Sequence, residues 1–502
     1  MRGPTASLAR ATTLLGAIPL LLATFAAGTA RAQQTGAPQT GAPQTGAPQT
    51  GAPQTGVPQA DASPPDASRS QRPAARPLGP ALATSEPMGA VSAVRQLPGG
   101  RVLVNDPVRR RVVLLDSMMK TIAVVADTTA ATQHAYGVQG GGLLAWTGDS
   151  TLFLDPASLS MLVLDPNGMI VRVKAAPRPE DVLSLVGGAL GFPGFDAKGR
   201  LVYRATGFSF NRRGGGGGGG FQPPAIPDSA PLVRFDLATR RLDTAAFIKV
   251  NAPKISVSQT DEGRRQLSIT VNPLPEVDDW AVLPDGRIAI LRHDYHVDYV
   301  DADGHVTPGP KIPYDWQRLS DSAKSAIVDS ARALAQRAGP GGLFQLLNGG
   351  GDAAPAAGGF PGGGFRGAFG GGGGGFGGGR GNRGGGGGDA PPPRRAAGGA
   401  NRGAGGGRQV EIVAPSTLPD YRPAFANGSV RADASGDLWV RTIPTKPLAG
   451  GPEYDVIDGT GKLVERVTIP PGTTIAGFGP DGTVYLGVRD AAGVHVVRAR
   501  ER

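Results

Sequence analysis

Cysteine is missing from all 502 residues of this chain. Its absence excludes disulfides, a thiol nucleophile and attachment of a lipid through a terminal cysteine. No Gly-x-Ser-x-Gly segment occurs, so the nucleophile turn of the α/β-hydrolases is absent too. Past the N-terminal stretch, no apolar run is long enough for a membrane-spanning helix. Phosphate-cradling loops are also missing. The Gly-x-Gly-x-x-Gly matches here fall inside glycine runs, with no strand before, no helix after and no Lys-Ser/Thr pair following.

What is present at the N-terminus reads as a secretory signal peptide over residues 1–32. Arg2 and Arg10 make a positive start, Leu14 to Gly28 is apolar, and Ala30-Arg31-Ala32 is a small-x-small cleavage site before Gln33. As a membrane anchor the apolar stretch is short and interrupted by Pro19. Export without disulfides fits a periplasmic or secreted bacterial protein.

Two low-complexity regions follow different rules. From Gln34 to Pro58 a Gln-Thr-Gly-Ala-Pro unit occurs five times, with Val57 replacing Ala in the last copy. Proline at every fifth position and no large apolar group leave nothing to build a core from, so residues 33–76 are expected to be an extended spacer. Such a spacer is either a tether or a tolerated repeat expansion. The second region, residues 349–408, is mostly Gly, with seven Arg against Asp352 and Asp389. It therefore supplies much of the net charge of +10, and the basicity belongs to an expected disordered loop rather than to a folded patch. Arg-Gly-Phe mixtures of this kind suit single-stranded RNA, but a signal peptide argues against a nucleic-acid partner.

The folded remainder, roughly 300 residues, is enough for one large core. Six stretches within it share a pattern, a turn followed by a run of β-formers: Leu97 to Val104, Thr147 to Leu154, Asp196 to Tyr203, Leu283 to Ile290, Asp433 to Val440, and Gly479 to Leu486. Each is followed by another apolar segment. In the first five copies that segment ends in Asp (Asp116, Asp165, Asp236, Asp301 and Asp458), with a turn and a further strand after it. Asp caps its own turn and Gly supplies positive φ, which makes these tight-turn signatures. A repeated four-strand unit predicts an all-β, six-bladed propeller of four-stranded antiparallel blades. The sixth unit lacks a fourth strand. Residues 77–84 are extended and have no other partner, so they are expected to supply it and close the ring.

These Pro-Asp-Gly-Arg-type turns, with Asp165 to Gly168 and Asp458 to Gly461, resemble those of six-bladed propellers in the NHL, TolB-like and gluconolactonase-like group. The resemblance covers residues 77–502 apart from the insertions. It implies architecture rather than activity. The long segments (the Gly214 run, residues 251–277 and residues 314–424) all fall on one face, the usual ligand face. A helix is expected over 319–337, capped by Ser320, with Leu319, Ala323, Ile327 and Leu334 as its apolar stripe and Arg337 and Gly339-Pro340 at its end. It should pack across that face.

Candidate site residues follow from this layout. The second strands end in Asp106, Asp155, Arg204, Arg292, Arg441 and Arg489. Four guanidinium groups near one rim suit a carboxylate, phosphate or sulfated sugar. The alternative is salt bridging to neighbouring Asp106, Asp155, Asp294 and Asp490. Asp278-Asp279-Trp280 and Tyr421-Arg422 open two units near the expected central pocket, although Trp280 could equally plug the core. His293, Asp294 and His296 could bind a divalent metal. A gluconolactonase-like enzyme would set Glu, Asn and Asp around a central Ca or Zn, and Glu86 stands at a suggestive place for the first of these. Two functions remain open. One is an exported, monomeric, cofactor-free module binding an unknown protein or a small anionic or carbohydrate ligand. The other is a metal-dependent lactonase-like hydrolase.

Overall fold

In the computed structural model the chain divides into Met1–Ser63 and Pro64–Arg502, and the description below concerns the second unit. The structure describes residues 72–206, 226–259, 265–347, 408–445 and 450–502. The expected signal peptide, the expected spacer as far as residue 71, the Gly214 run and the 349–407 loop lie outside them. No helix among the described residues is long and apolar enough to cross a membrane.

Two short strands come first, β1 (Ala75–Pro77) and β2 (Ala81–Thr84). Sheet 1 holds β3 (Ala93–Gln96), β4 (Val102–Asp106), β5 (Arg111–Leu115) and β6 (Thr121–Ala126). Sheet 2 holds β7 (Gly142–Ala145), β8 (Thr151–Asp155), β9 (Ser160–Leu164) and β10 (Ile170–Ala175). Sheet 3 holds β11 (Gly194–Phe195), β12 (Leu201–Arg204), β13 (Ser229–Phe235) and β14 (Leu242–Lys249). After β15 (Lys254–Gln259) and β16 (Arg265–Val271), sheet 4 holds β17 (Asp279–Val282), β18 (Ile288–Leu291), β19 (His296–Val300) and β20 (Val306–Lys311). Helix α1 (Asp321–Leu347) and β21 (Arg408–Ile412) precede sheet 5, which is β22 (Val430–Ala432), β23 (Leu438–Arg441), β24 (Glu453–Ile457) and β25 (Leu463–Thr468). Sheet 6 is β26 (Thr473–Gly479), β27 (Thr483–Asp490) and β28 (Gly493–Arg500), with β2 as its fourth strand.

Each sequence motif thus ends in the second strand of a sheet. The third-to-fourth turns of sheets 1, 2, 4 and 5 share their local chemistry. The Asp116, Asp165, Asp301 and Asp458 carboxylates each accept from backbone N–H groups two and four residues on, at 2.8–3.0 Å, whereas Asp236 in sheet 3 accepts from those two and three residues on. Gly168, Gly304 and Gly461 take positive φ in these turns. In sheet 1 the equivalent residue is Met119, which adopts φ 66° while its side chain is buried.

Because a strand's side chains alternate, each sheet faces both neighbours. Val102 and Val104 join Tyr485 and Val496 in the seam between sheets 6 and 1, whereas Leu103 turns the other way, to Phe153 and Leu162 of sheet 2. Leu438 and Val440 pack toward sheet 4 and Trp439 toward sheet 6. Together with Leu152 and Leu201 between sheets 2 and 3, and Val202 and Ile290 between sheets 3 and 4, this makes six apolar seams. The last of them joins sheet 6 back to sheet 1. Each fully buried Val or Leu contributes roughly 1.5–3 kcal/mol. Close approach fixes the seam from sheet 6 to sheet 1: a Cβ on Gly477 would lie 2.3 Å from the Val94 carbonyl oxygen. Antiparallel sheets in cyclic succession with their first strands innermost define a β-propeller.

The N-terminal strap pairs as the missing-strand argument requires, with Ala81 opposite Ala499 and Thr84 opposite Val497. One pairing was not expected. β1 runs parallel to β25 as a fifth strand of sheet 5, so the folded chain begins ahead of the anticipated boundary at residue 77.

The helix also differs from expectation. Ser320 Oγ accepts from the Ala323 N–H at 3.2 Å, which caps the start, but α1 continues through Pro340 to Leu347. Proline removes one helical hydrogen bond, and here that loss does not end the helix. Val328 and Ala331 are its buried apolar residues; of the expected stripe, Leu319 is buried just ahead of the helix, Leu334 packs partly buried beside Ala331, and Ala323 and Ile327 are half-buried. The helix packs on an accessory sheet of β15, β16 and β21, through Val271, Ile269 and Val410. The alternation in Lys254–Gln259 and Arg265–Val271 is the sequence signal for that sheet, within the segment expected to be a link between units.

Candidate functional site: an arginine-lined central cavity

The first strands of the six sheets surround a cavity of about 710 Å³. Its lining follows from a register shared by all of them. In sheets 1 to 5 the first hairpin closes with a bond from Leu97, Trp146, Asp196, Leu283 or Asp433 N–H to the carbonyl four residues on, at 2.8–3.0 Å. In sheet 6, Gly479 pairs with Thr483. Two residues before each of these positions stand Arg95, Leu144, Gly194, Ala281, Arg431 and Gly477, and all six line the cavity. Glycine and alanine at three of the six leave space there, and arginine at two brings charge.

The Arg431 guanidinium lies over the Phe192 ring, 3.8 Å from its centroid. Burial pulls its pKa down to about 10, while Tyr454 and Asp279 act in the opposite direction, so it remains a cation at neutral pH. Arg95 donates from Nε to Thr151 Oγ1 at 3.1 Å, and burial lowers its pKa against the opposing charge of Asp149. Arg441 is the third cation on the wall. None of the three has an ion-pair partner among the described residues. The one acidic residue in the lining, Asp433, is committed elsewhere: its carboxylate accepts from the N–H groups of Ser435 and Asp437 and from Trp439 Nε1, all at 2.8–3.0 Å. The cavity therefore presents half-buried guanidinium groups beside an aromatic ring. Such groups bind carboxylate or phosphate oxygens through forked N–H bonds.

The candidates from the second-strand ends do not converge. Arg441 lines the cavity, but Arg204, Arg292 and Arg489 do not. Arg292 bonds Asp278 at 2.9 Å and Asp298 at 2.7 Å, a salt-bridged role with different partners from those anticipated. Arg489 is exposed near the end of β27. Arg204 is partly buried, its pKa pulled down to about 10 by burial and supported by Asp279. Asp106 is fully buried and accepts from the N–H groups of Gly89, Ala90 and Arg109 and from Arg111 Nε, so it organises sheet 1 rather than a ligand. Asp155 likewise accepts from Ala157 N–H at 3.2 Å and Ser158 Oγ at 2.5 Å.

Asp279 is enclosed between sheets 4 and 5. Burial pushes its pKa up to about 7, against the lowering effect of the N–H groups of Val430 and Trp280 and the Arg204 charge. Trp280 is a core residue: it is 1% exposed, and its Nε1 donates to the Leu190 carbonyl at 3.2 Å. Tyr421 and Arg422 flank the start of α1 instead of the cavity, with Arg422 N–H donating to the Gln317 carbonyl at 2.9 Å.

The metal candidates are separated as well. His293 Nδ1 meets Asp278 at 3.1 Å, whereas His296 meets Asp294 at 2.7 Å and Asp298 at 3.3 Å. Glu86 is exposed and stands outside the cavity lining. Among the described residues no group of three or more His, Asp or Glu side chains is placed to hold a metal ion. The donor set therefore does not fit the Ca or Zn centre that a lactonase would need. Arg95 and Arg431 escaped the sequence reading because it searched the ends of second strands. The register two residues before each turn was the available signal.

No protein-family model and no curated relative matches the sequence. Loose structural likenesses exist. A member of the DUF4221 family from Bacteroides vulgatus aligns with a TM-score of 0.39 at 9% identity, over 84% of this chain and 97% of the other. A gluconolactonase from Xanthomonas campestris gives 0.32 at 10%, over 84% and 99%. A virginiamycin B lyase from Staphylococcus aureus gives 0.32 at 8%, over 84% and 98%. Scores this low carry no ligand and no reaction over to this chain.

Proposed function

We propose that this protein is an exported ligand-binding propeller of six blades, closed by its N-terminal strap, that takes a small anionic ligand in the central cavity. The observation that carries the reading is the wall of Arg95, Arg431 and Arg441, whose positive charge the lining leaves unneutralised. A half-buried cation with no bonded carboxylate is incompletely satisfied, and a bound anion would satisfy it. Phe192 beside Arg431 favours an anion with a flat or apolar portion over a fully hydrated one.

Calorimetric titration of the protein with citrate, benzoate, inorganic phosphate and a neutral sugar tests this. Saturable binding of an anion, weakened about tenfold or more in Arg431→Ala, is expected, since one charge-assisted contact is worth about 1.5–3 kcal/mol. Equal binding of the neutral sugar, or anion binding that is indifferent to Arg431, would sink the reading.

A further inference from the structure

A second site, independent of the cavity, lies in the seam between sheets 4 and 5. Asp455 on β24 has a side chain with no exposed surface, and it accepts from Tyr295 Oη at 2.7 Å. Tyr314 stands beside Tyr295, ring centroids 5.2 Å apart and nearly perpendicular, and its own hydroxyl donates to the Ile443 carbonyl at 2.6 Å. Trp316 packs edge-on against Tyr314 at 5.3 Å. These walls are held by contacts made entirely within the propeller, so the pocket is shaped before anything fills it.

What fills it is Arg72, from the strap. One terminal nitrogen bonds both Asp455 oxygens at 3.1 Å, and the other bonds Asp315 at 3.2 Å. The guanidinium carbon lies over the Tyr314 ring, 5.0 Å from its centroid. Nε has no hydrogen-bond partner among the described residues. The contacts therefore read the two terminal nitrogens and the flat face, features that free guanidinium shares with an arginine side chain. Arg466 also reaches Asp455, at 3.4 Å, too long to replace the bonds from Arg72.

We propose that Asp455, Tyr295, Tyr314 and Asp315 form a guanidinium-binding site whose resident occupant is Arg72, and that the site accepts guanidinium from solution when Arg72 is removed. Occupancy is coupled to the strap. Arg72 leads directly into β1 and β2, so filling the pocket helps hold the outer strands of sheets 5 and 6.

The test is chemical rescue in the full-length chain. Arg72→Ala should melt at a lower temperature than wild type and be cut more readily by protease near residues 75–84. Low-millimolar guanidinium chloride, far below denaturing concentrations, should raise its Tm saturably by about 1–3 °C. Sodium chloride at equal ionic strength should not, and wild type, whose pocket is filled, should not respond. Adding Asp315→Asn, a change at a half-exposed residue, should shift the rescue to higher guanidinium concentration. A melting temperature for Arg72→Ala equal to wild type, or a rise that sodium chloride reproduces, would overturn the proposal. Should Arg72→Ala not fold, Arg72→Lys is titrated in the same way. If neither variant folds, refolding yield with and without guanidinium is the readout, and a yield that guanidinium leaves unchanged counts against the site.

Discussion

Arg72 and Arg431 both lay a guanidinium over an aromatic ring, and they differ in what completes their surroundings. Arg72 has two carboxylates from its own chain, Asp455 and Asp315. Arg431 has Phe192 beneath it and no ion pair among the described residues. In the first case the chain satisfies the charge and the contact belongs to the fold. In the second the charge is met by the Phe192 ring and at a distance by Asp279 and Tyr454, with no carboxylate bonded to it. Under the proposed function, what separates Arg431 from Arg72 is the lack of a bonded carboxylate rather than burial.

The harshest way to break this contrast is to delete residues 77–86, which leaves Arg72 in the chain but removes β2. Sheet 6 then loses its fourth strand and exposes the edge of β28. A large fall in Tm and loss of cooperative unfolding are expected, and an unchanged melting curve would show that the strap holds nothing. Next in size is Asp455→Ala. It leaves Arg72 and Arg466 facing an emptied pocket and should cost about 3–5 kcal/mol in a denaturant titration. A cost below about 1 kcal/mol would make the closed cluster no more structural than the open one.

A third measurement concerns Asp279, whose charge acts on Arg431. Its pKa of about 7 in the folded state lies above the unfolded value near 3.8. The linked stability is fully present below the unfolded pKa and declines as pH rises through about 7. Wild type should thus lose stability between about pH 4 and pH 7, on top of any other titration. Asp279→Asn should be less stable overall, because its amide N–H would face a backbone donor, yet it should lack this part of the slope. Parallel pH profiles for the two proteins would count against the assignment. The smallest effect is expected for Arg431→Ala: stability within about 0.5 kcal/mol of wild type, since no carboxylate bond is lost with the side chain. A loss as large as that of Asp455→Ala would erase the distinction.

The fold was largely readable because its signals are local. An Asp that bonds its own turn, and a Gly three residues later with positive φ, are set by neighbours in sequence, as at Asp165 to Gly168 and Asp458 to Gly461. The absent fourth strand of sheet 6 was found by counting. The site was much less readable. Whether Arg292 faces a ligand depends on Asp278, brought in from the preceding strand, and whether Trp280 is core depends on Leu190 in a distant loop. Arg72 lies just outside the expected folded region, and its partners are hundreds of residues away. Such contacts exist only once the sheets are assembled, so residue type and spacing alone could not assign them.

The pairing of Thr84 with Val497 also bears on how the molecule forms. Sheets 1 to 5 can each draw their core strands from one stretch of chain, but sheet 6 needs strands from opposite ends of the folded region. Contacts of such long sequence separation form late and slowly. Until they form, β28 presents an open edge to any passing strand. Completion of this one sheet is thus expected to be the kinetic bottleneck of folding and the interval of greatest aggregation risk.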